Sequence, residues 1–285
     1  MTLNVGSRLL DLSQPQVMGI LNVTPDSFFD GGRLTSRDQL LQQAEKMLAA
    51  GATLLDIGGA SSRPGAVEVP EQEELDRVIP AIETVLEHFP QALLSIDTWR
   101  AKVAQTAVQS GAALVNDISA GRLDPDMYPA MGTLNAPHSK DFQSVPYILM
   151  HMQGRPENMQ SDPVYTDVVT EVLDFFIHEV AGLRALGVTD IILDPGFGFG
   201  KTVEQNYQLL RQLSVFHQVL ALPVMAGLSR KAMICKVLKV NPEQALNGTT
   251  ALHMLALQQG ANMLRVHDVR EAVEVIQLWK VWNQA

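Results

Sequence analysis

The stretch Ile191-Ile192-Leu193-Asp194-Pro195-Gly196-Phe197-Gly198-Phe199-Gly200-Lys201 runs from an apolar strand straight into a glycine-rich loop, with a carboxylate at the junction. Buried β-branched residues fix where Asp194 stands, and the glycines let backbone and ligand approach closely. The same pattern recurs around the chain. Apolar runs at Val17–Leu21, Thr53–Ile57, Leu93–Ile96, Ala113–Val115, Tyr147–Met150, Asp190–Leu193, Pro223–Ala226 and Met263–Val266 each end at a polar residue or glycine. Most lack period-two alternation, as expected of parallel strands covered on both faces.

Helical patterns lie between these runs. Ser36 precedes an i, i+3/i+4 stripe of Leu40, Leu41, Ala44, Met47 and Leu48, and Gly51 follows as a stop. Glu71–His88, Trp99–Gln109, Thr166–Leu186, Val203–Leu213, Pro242–Gln259 and Asp268–Trp282 read similarly. Eight strands with intervening helices predict an α/β fold, a TIM (β/α)8 barrel, rather than an open doubly wound sheet. The chain has 285 residues, close to what one closed barrel needs, so a single domain over 1–285 is expected. The segment from Arg122 to Pro146 fits least well, with turn chemistry and at most one short helix around Asp124 to Met131.

Composition narrows the function. Lys and Arg number 21 against 31 Asp and Glu, with no basic cluster beyond short pairs such as Arg230-Lys231, which argues against nucleic-acid binding. Cys235 is the single cysteine, so no internal disulfide or Cys-based metal cluster is possible. Met1 to Gln16 lacks the order of a signal peptide, and no apolar run approaches a membrane span. A cytoplasmic protein without a membrane partner is the expectation.

In such a barrel, ligands meet the C-terminal ends of the strands. Those ends carry Asn22, Gly58, Asp97, Asn116 with Asp117, His151, Asp194, Gly227 and His267. Any one of them could simply cap a helix or close a turn; their convergence points to a site. Asp97, Asn116 and Asp194 present mainly acceptors, and Lys231 adds donors and charge. That inventory matches the edge of an amino-pyrimidinone ring. Metal binding by Asp97 and Asp194 is the competing reading, and it lacks neighbouring His or Glu at ligand spacing.

A second group suits an anion. The loops Asn22–Gly32 and Gly58–Ala66 mix glycine, proline, hydroxyls and charge, as mobile substrate loops do. Arg63, Arg265 and His267 supply cationic donors for phosphate oxygens. Strand alternation places Arg265 and His267 on the same side.

Ordered blocks then identify a resemblance. They are Met18-Gly19-Ile20-Leu21-Asn22-Val23-Thr24-Pro25-Asp26-Ser27-Phe28, Asp56-Ile57-Gly58-Gly59, Ser95-Ile96-Asp97-Thr98, Val115-Asn116-Asp117-Ile118, Leu149-Met150-His151-Met152-Gln153-Gly154, Asp194 to Lys201, Ser229-Arg230-Lys231 and Arg265-Val266-His267-Asp268. Over nearly its whole length the chain resembles the dihydropteroate synthases of the folate pathway. The resemblance implies a barrel that condenses dihydropterin-CH2 pyrophosphate with p-aminobenzoate, releasing pyrophosphate by SN1-like substitution with help from Mg2+, and it implies a homodimer open to sulfonamides.

Carried onto matching positions, the resemblance gives the pterin to Asp97, Asn116, Met150, Asp194, Phe199, Gly227 and Lys231. It gives pyrophosphate to Asn22, Arg63, Arg265 and His267, the metal to Asn22, and p-aminobenzoate to Phe28, Ser62, Pro64, Ser229 and Lys231. Asp97, Asp194, Lys231 and Arg63 would carry the catalysis. Ala60 and Ser62 depart from the family's usual glutamate and threonine, which bears on the geometry of the second loop. A methyltetrahydrofolate-dependent corrinoid methyltransferase shares the architecture but expels no pyrophosphate, and a non-catalytic pterin binder would not need Asn22, Arg63, Arg265 and His267 together.

Overall fold

The computed structural model describes residues 1–6, 8–23, 36–60, 69–136, 144–156, 158–159 and 163–284. Eight parallel strands form the centre: β3 (Gln16–Asn22), β4 (Leu54–Gly58), β5 (Leu93–Asp97), β6 (Leu114–Asp117), β7 (Tyr147–Met150), β8 (Ile191–Asp194), β9 (Met225–Ala226) and β10 (Met263–Val266). Their order is β8-β7-β6-β5-β4-β3-β10-β9. The Leu193 amide donates to Pro223 O at 2.8 Å and Leu193 bridges Val224, so the first and last strands meet and the sheet closes. Closure leaves no unpaired edge.

Helices α1 (Ser36–Ala49), α2 (Glu71–His88), α3 (Ala101–Gln109), α4 (Met127–Leu134), α5 (Val168–Ala185), α6 (Val203–Arg211), α7 (Ser214–Leu220), α8 (Ala232–Leu238), α9 (Leu246–Gln258) and α10 (Val269–Gln284) follow the strands. The expected single run from Pro242 is a 3-10 turn over Pro242–Gln244 and then α9, and the short α7 and α8 were not legible as separate helices. The Arg122–Pro146 segment contributes α4, one short helix as expected. Among the described residues no helix is long and apolar enough to cross a membrane.

Strand alternation sorts the side chains into two sets. One parity, including Leu21, Leu55, Ile57, Ile96, Leu149, Leu193 and Val266, packs against the helices in the large core. The other parity faces inward. At the start of the strands it supplies Met18, Leu54, Leu114, Ile148, Ile192, Met225 and Met263, all buried together.

That lower layer is sealed by an antiparallel hairpin, β1 (Thr2–Val5) and β2 (Arg8–Asp11), which inserts Leu3, Val5 and Leu10, with Leu12 just beyond it. The period-two pattern Thr2-Leu3-Asn4-Val5 sends its two apolar residues into the barrel and leaves Thr2 exposed. Burying each such side chain contributes about 1.5–3 kcal/mol. The N-terminal end of the barrel interior is therefore an apolar plug.

Candidate active site

Two residues above the plug, the inward parity turns polar. Leu54 is followed by Asp56 and Gly58, Leu93 by Ser95 and Asp97, and Leu114 by Asn116. Ile148 is followed by Met150, Ile192 by Asp194, Met225 by Gly227, and Met263 by Arg265 and His267. The strand pairing sets Asp56 beside Ser95, and Gly58 beside both Asn22 and Asp97.

Asp56 is fully buried and anchors one half of the site. Its Oδ2 accepts from Asn116 Nδ2 at 2.9 Å and from Arg265 Nε at 2.6 Å. Nη2 of Arg265 donates to Asp97. Asn116 thereby spends an amide N–H on Asp56 and keeps its carbonyl oxygen for a ligand. Asp56 Oδ1 and Ser95 Oγ are buried without a hydrogen-bond partner among the described residues.

Asp194 anchors the other half. Its Oδ1 accepts from the Gly196 amide at 2.8 Å, which fixes the carboxylate at the strand exit. Lys231 is half-buried, donates to Phe197 O, and sets Nζ 4.7 Å from the centre of the Phe199 ring. A Cβ on Gly227 would stand 3.8 Å from Asp194 Oδ2 and 3.7 Å from Lys231 Nζ, so this glycine borders the gap between carboxylate and ammonium. Met150 and Phe199 share a small apolar cluster with Ile118, Met152 and Met159.

The electrostatics follow from burial. Desolvation pushes the Asp97 carboxyl up to about 7, against the pull of Arg265, and Asp56 adds to the rise. Burial also raises Asp194, opposed by Lys231 and the Gly196 amide. Lys231 is lowered to about 8 by burial, with Asp194 pulling it back. Asp97 and Lys231 are thus both poised near neutral pH, and a bound ring edge can decide their protonation.

At the rim, Asn22 Oδ1 and Asp97 flank Gly58: a Cβ there would fall 3.3 Å from Asn22 Oδ1 and 3.6 Å from Asp97 Oδ2. Ser229 Oγ lies 3.0 Å from His267 Nδ1 and accepts from the His267 amide. Arg230 grips Asp268 through two nitrogens while adopting a φ of 57° between Ser229 and Lys231. A non-glycine residue in that conformation costs about 1–3 kcal/mol and is kept where its neighbours must be aimed.

The structure thus brings together Asn22, Asp97, Asn116, Met150, Asp194, Phe199, Gly227, Ser229, Lys231, Arg265 and His267. Phe28, Ser62, Arg63 and Pro64 lie outside the described residues. Arg265 is not simply an anion donor, since Nε and Nη2 are committed to Asp56 and Asp97 and Nη1 remains for an anion. Asp117 belongs to the outward parity and accepts from Tyr147 OH and the Ser119 and Gly121 amides, so it shapes the β6 turn. Sequence reading passed over Asp56, although a carboxylate inside the run Leu54-Leu55-Asp56-Ile57 was a signal.

The model of the family described as pterin binding enzyme matches residues 18–267. The chain belongs to the pterin-binding enzyme family. Within it, the chain is 44% identical over 271 residues to the dihydropteroate synthase of Escherichia coli (strain K12), covering 94% of this chain and 92% of that one. Among solved members, the Yersinia pestis dihydropteroate synthase in complex with a sulfonamide drug superposes with a TM-score of 0.91 at 47% identity, covering 100% of both chains. The dihydropteroate synthase of Xanthomonas albilineans in complex with 7,8-dihydropteroate gives 0.87 at 39% identity, again over 100% of both chains. Both superpositions therefore run the length of the chain.

Proposed function

We propose that this chain is a dihydropteroate synthase, which joins dihydropterin-CH2 pyrophosphate to p-aminobenzoate and releases pyrophosphate. The observation that carries the reading is the inward ladder of Asp97, Asn116, Asp194 and Lys231 around one gap, with an anion-suited rim at Asn22, Arg265 and His267. The pterin ring donates its N–H groups to Asp97 and Asp194, and its carbonyl accepts from Lys231. Charge-assisted hydrogen bonds contribute about 1.5–3 kcal/mol each, so a few orient the ring. Met150, Phe199 and Gly227 close over its faces.

The bond from the pterin methylene to the diphosphate oxygen breaks first, and its electron pair leaves with pyrophosphate. Positive charge then spreads from the methylene into the ring, where Asp97 and Asp194 stabilise it at fixed positions. The aniline nitrogen is neutral near pH 7 and supplies the lone pair for the new C–N bond; its proton passes to solvent. No strong base is needed. Arg63, Arg265 and His267 take the departing phosphate oxygens. Phe28, Ser62, Pro64, Ser229 and Lys231 border the p-aminobenzoate, and a sulfonamide would compete there.

Mg2+ fits this donor set. Asn22 offers a neutral hard oxygen beside Asp97, and Mg2+ favours one or two protein oxygens with the rest from water and substrate phosphates. Bound there, it would neutralise charge on the leaving group.

The assembly is read as a homodimer. Leu278, Val281 and Trp282 lie at i, i+3 and i+4 on α10 and are 65%, 69% and 63% exposed, with Leu255 of α9 also bare. A cytoplasmic location is consistent with the lone free Cys235. Incubating the purified protein with dihydropterin pyrophosphate, Mg2+ and p-aminobenzoate tests the central reading: dihydropteroate is expected, and its absence at saturating substrate overturns it. Sedimentation of Trp282→Glu tests the dimer, which should dissociate.

A further inference from the structure

Lys201, the last residue of the glycine-rich loop, points back into the protein and is 3% exposed. Its Nζ reaches His151 Nδ1 at 3.0 Å, Phe199 O at 3.0 Å, Gly196 O at 3.1 Å and His151 O at 3.3 Å. A buried ammonium normally demands a carboxylate. Here three carbonyls and an imidazole make the direct contacts, while burial lowers Lys201 to about 7 and the charge of Asp194 pulls it back up.

The imidazole is suited to that task. Burial pushes His151 far below its ordinary value, so the ring is neutral and can accept from Lys201 through Nδ1. Phe175 fixes the ring edge-on at a centroid distance of 4.8 Å. On the other side of the loop, Lys231 donates to Phe197 O and lies over the Phe199 ring. Two lysines therefore grip the same four residues, Gly196 to Phe199, one buried and one at the ligand gap.

The loop has little freedom to do otherwise. Gly196, Gly198 and Gly200 have φ values of 69°, 82° and 63°. A Cβ at Gly196 would fall 1.9 Å from His151 O. Asn206 accepts from the Gly198 amide at 2.6 Å, and a capping box between Thr202 and Gln205 starts α6 directly after Lys201.

We propose that Lys201 is a positioning residue for the pterin site: through its cage with His151 it fixes the Gly196–Phe199 peptide and thereby sets where Lys231 presents its ammonium to the heterocycle. The inference rests on the pterin reading above. Nothing in it requires Lys201 to touch the ligand.

The test is a double-mutant cycle read by calorimetry, with pterin-6-carboxylate as the probe, a ring without diphosphate. Lys201→Met should weaken binding about tenfold in the wild-type background, and by less than about threefold when Lys231 is already Met, since the two act through one loop. Equal losses in both backgrounds overturn the proposal, because a general loosening of the barrel would be additive. Should Lys201→Met fail to fold, His151 carries the test. His151→Asn places an acceptor near the Nδ1 position and should bind within about threefold of wild type, whereas His151→Leu should lose about tenfold; equal affinities in those two variants refute the mechanism. Wild-type synthase activity is measured in parallel. Turnover without the predicted coupling sinks the Lys201 inference alone, and wild type that neither binds the probe nor makes dihydropteroate removes both readings.

Discussion

Arg265 and Asp56 stand on strands β10 and β4, separated by β3, and meet at 2.6 Å beneath the ligand gap. The same guanidinium also reaches Asp97 on β5. Asp56 is fully buried, so its charge is tolerable only because Arg265 and Asn116 answer it. The pair therefore belongs to the stability of the barrel and to the shape of the site at once.

Replacing Arg265 by Met should separate those roles poorly and show how strongly they are joined. Removing one partner of a buried ion pair costs about 3–5 kcal/mol. We expect a lower urea midpoint together with lost turnover. Arg265→Lys keeps the charge without the two-pronged geometry and should recover part of the stability and little of the activity. An unchanged midpoint for Arg265→Met would show that the Arg265–Asp56 pair does not stabilise the barrel.

Asp97 makes an opposite prediction. Its folded pKa of about 7 lies above the ordinary value of 3.8, so the folded state binds more protons between those values. The stability linked to this group is complete below about pH 4 and lost as pH rises to about 7. Asp97→Asn should thus gain stability relative to wild type at pH 8 and much less at pH 4.5, while binding pterin worse at pH 8. With Lys231 lowered to about 8, kcat/KM for the pterin substrate should fall on both sides of the neutral range. Denaturant midpoints at the two pH values decide the first point, and a variant less stable than wild type at pH 8 contradicts it.

Much of this was legible before any coordinates. The strands announce themselves as apolar runs bounded by glycine and proline, and the strand-exit rule alone gathered Asp97, Asn116, Asp194 and Gly227. Asp56 escaped because it lies one layer deeper than the exit. Arg265 was matched to phosphate, yet its partner Asp56 lies 209 residues away, and sequence spacing says nothing about which anion an arginine meets. Lys201 read as the end of a loop; that it turns inward depends on His151 at the end of β7 and on the carbonyls of Gly196 and Phe199 in its own loop. The hairpin β1–β2 was passed over because each strand offers only a brief alternation.

The hairpin supplies a prediction at the far end of the barrel. Leu12 is fully buried against the lower layer, remote in height from the polar ladder. Leu12→Ala should cost about 2–5 kcal/mol through lost burial and a cavity. Because ligands use the opposite end, kcat of the folded fraction should stay unchanged. A large fall in kcat at full folding would show that the plug positions the site as well as sealing the barrel.

Two glycines allow backbone strain and steric clash to be measured apart. Gly187 has a φ of 86° and open space where a Cβ would go, whereas Gly196 has a φ of 69° and a Cβ position 1.9 Å from His151 O. Alanine at Gly187 should therefore cost only the left-handed backbone penalty of about 1–2 kcal/mol. Alanine at Gly196 adds a collision with a carbonyl that the Lys201 cage also holds, so the loop must lift from the β7 end. Its cost should exceed that of Gly187→Ala, and pterin KM should rise with it, since Phe197 O and the Phe199 ring move away from Lys231. Paired urea melts and pterin titrations of the two variants give the comparison. Equal stability losses, with pterin KM unchanged in Gly196→Ala, would show that the loop can shift without disturbing Lys231.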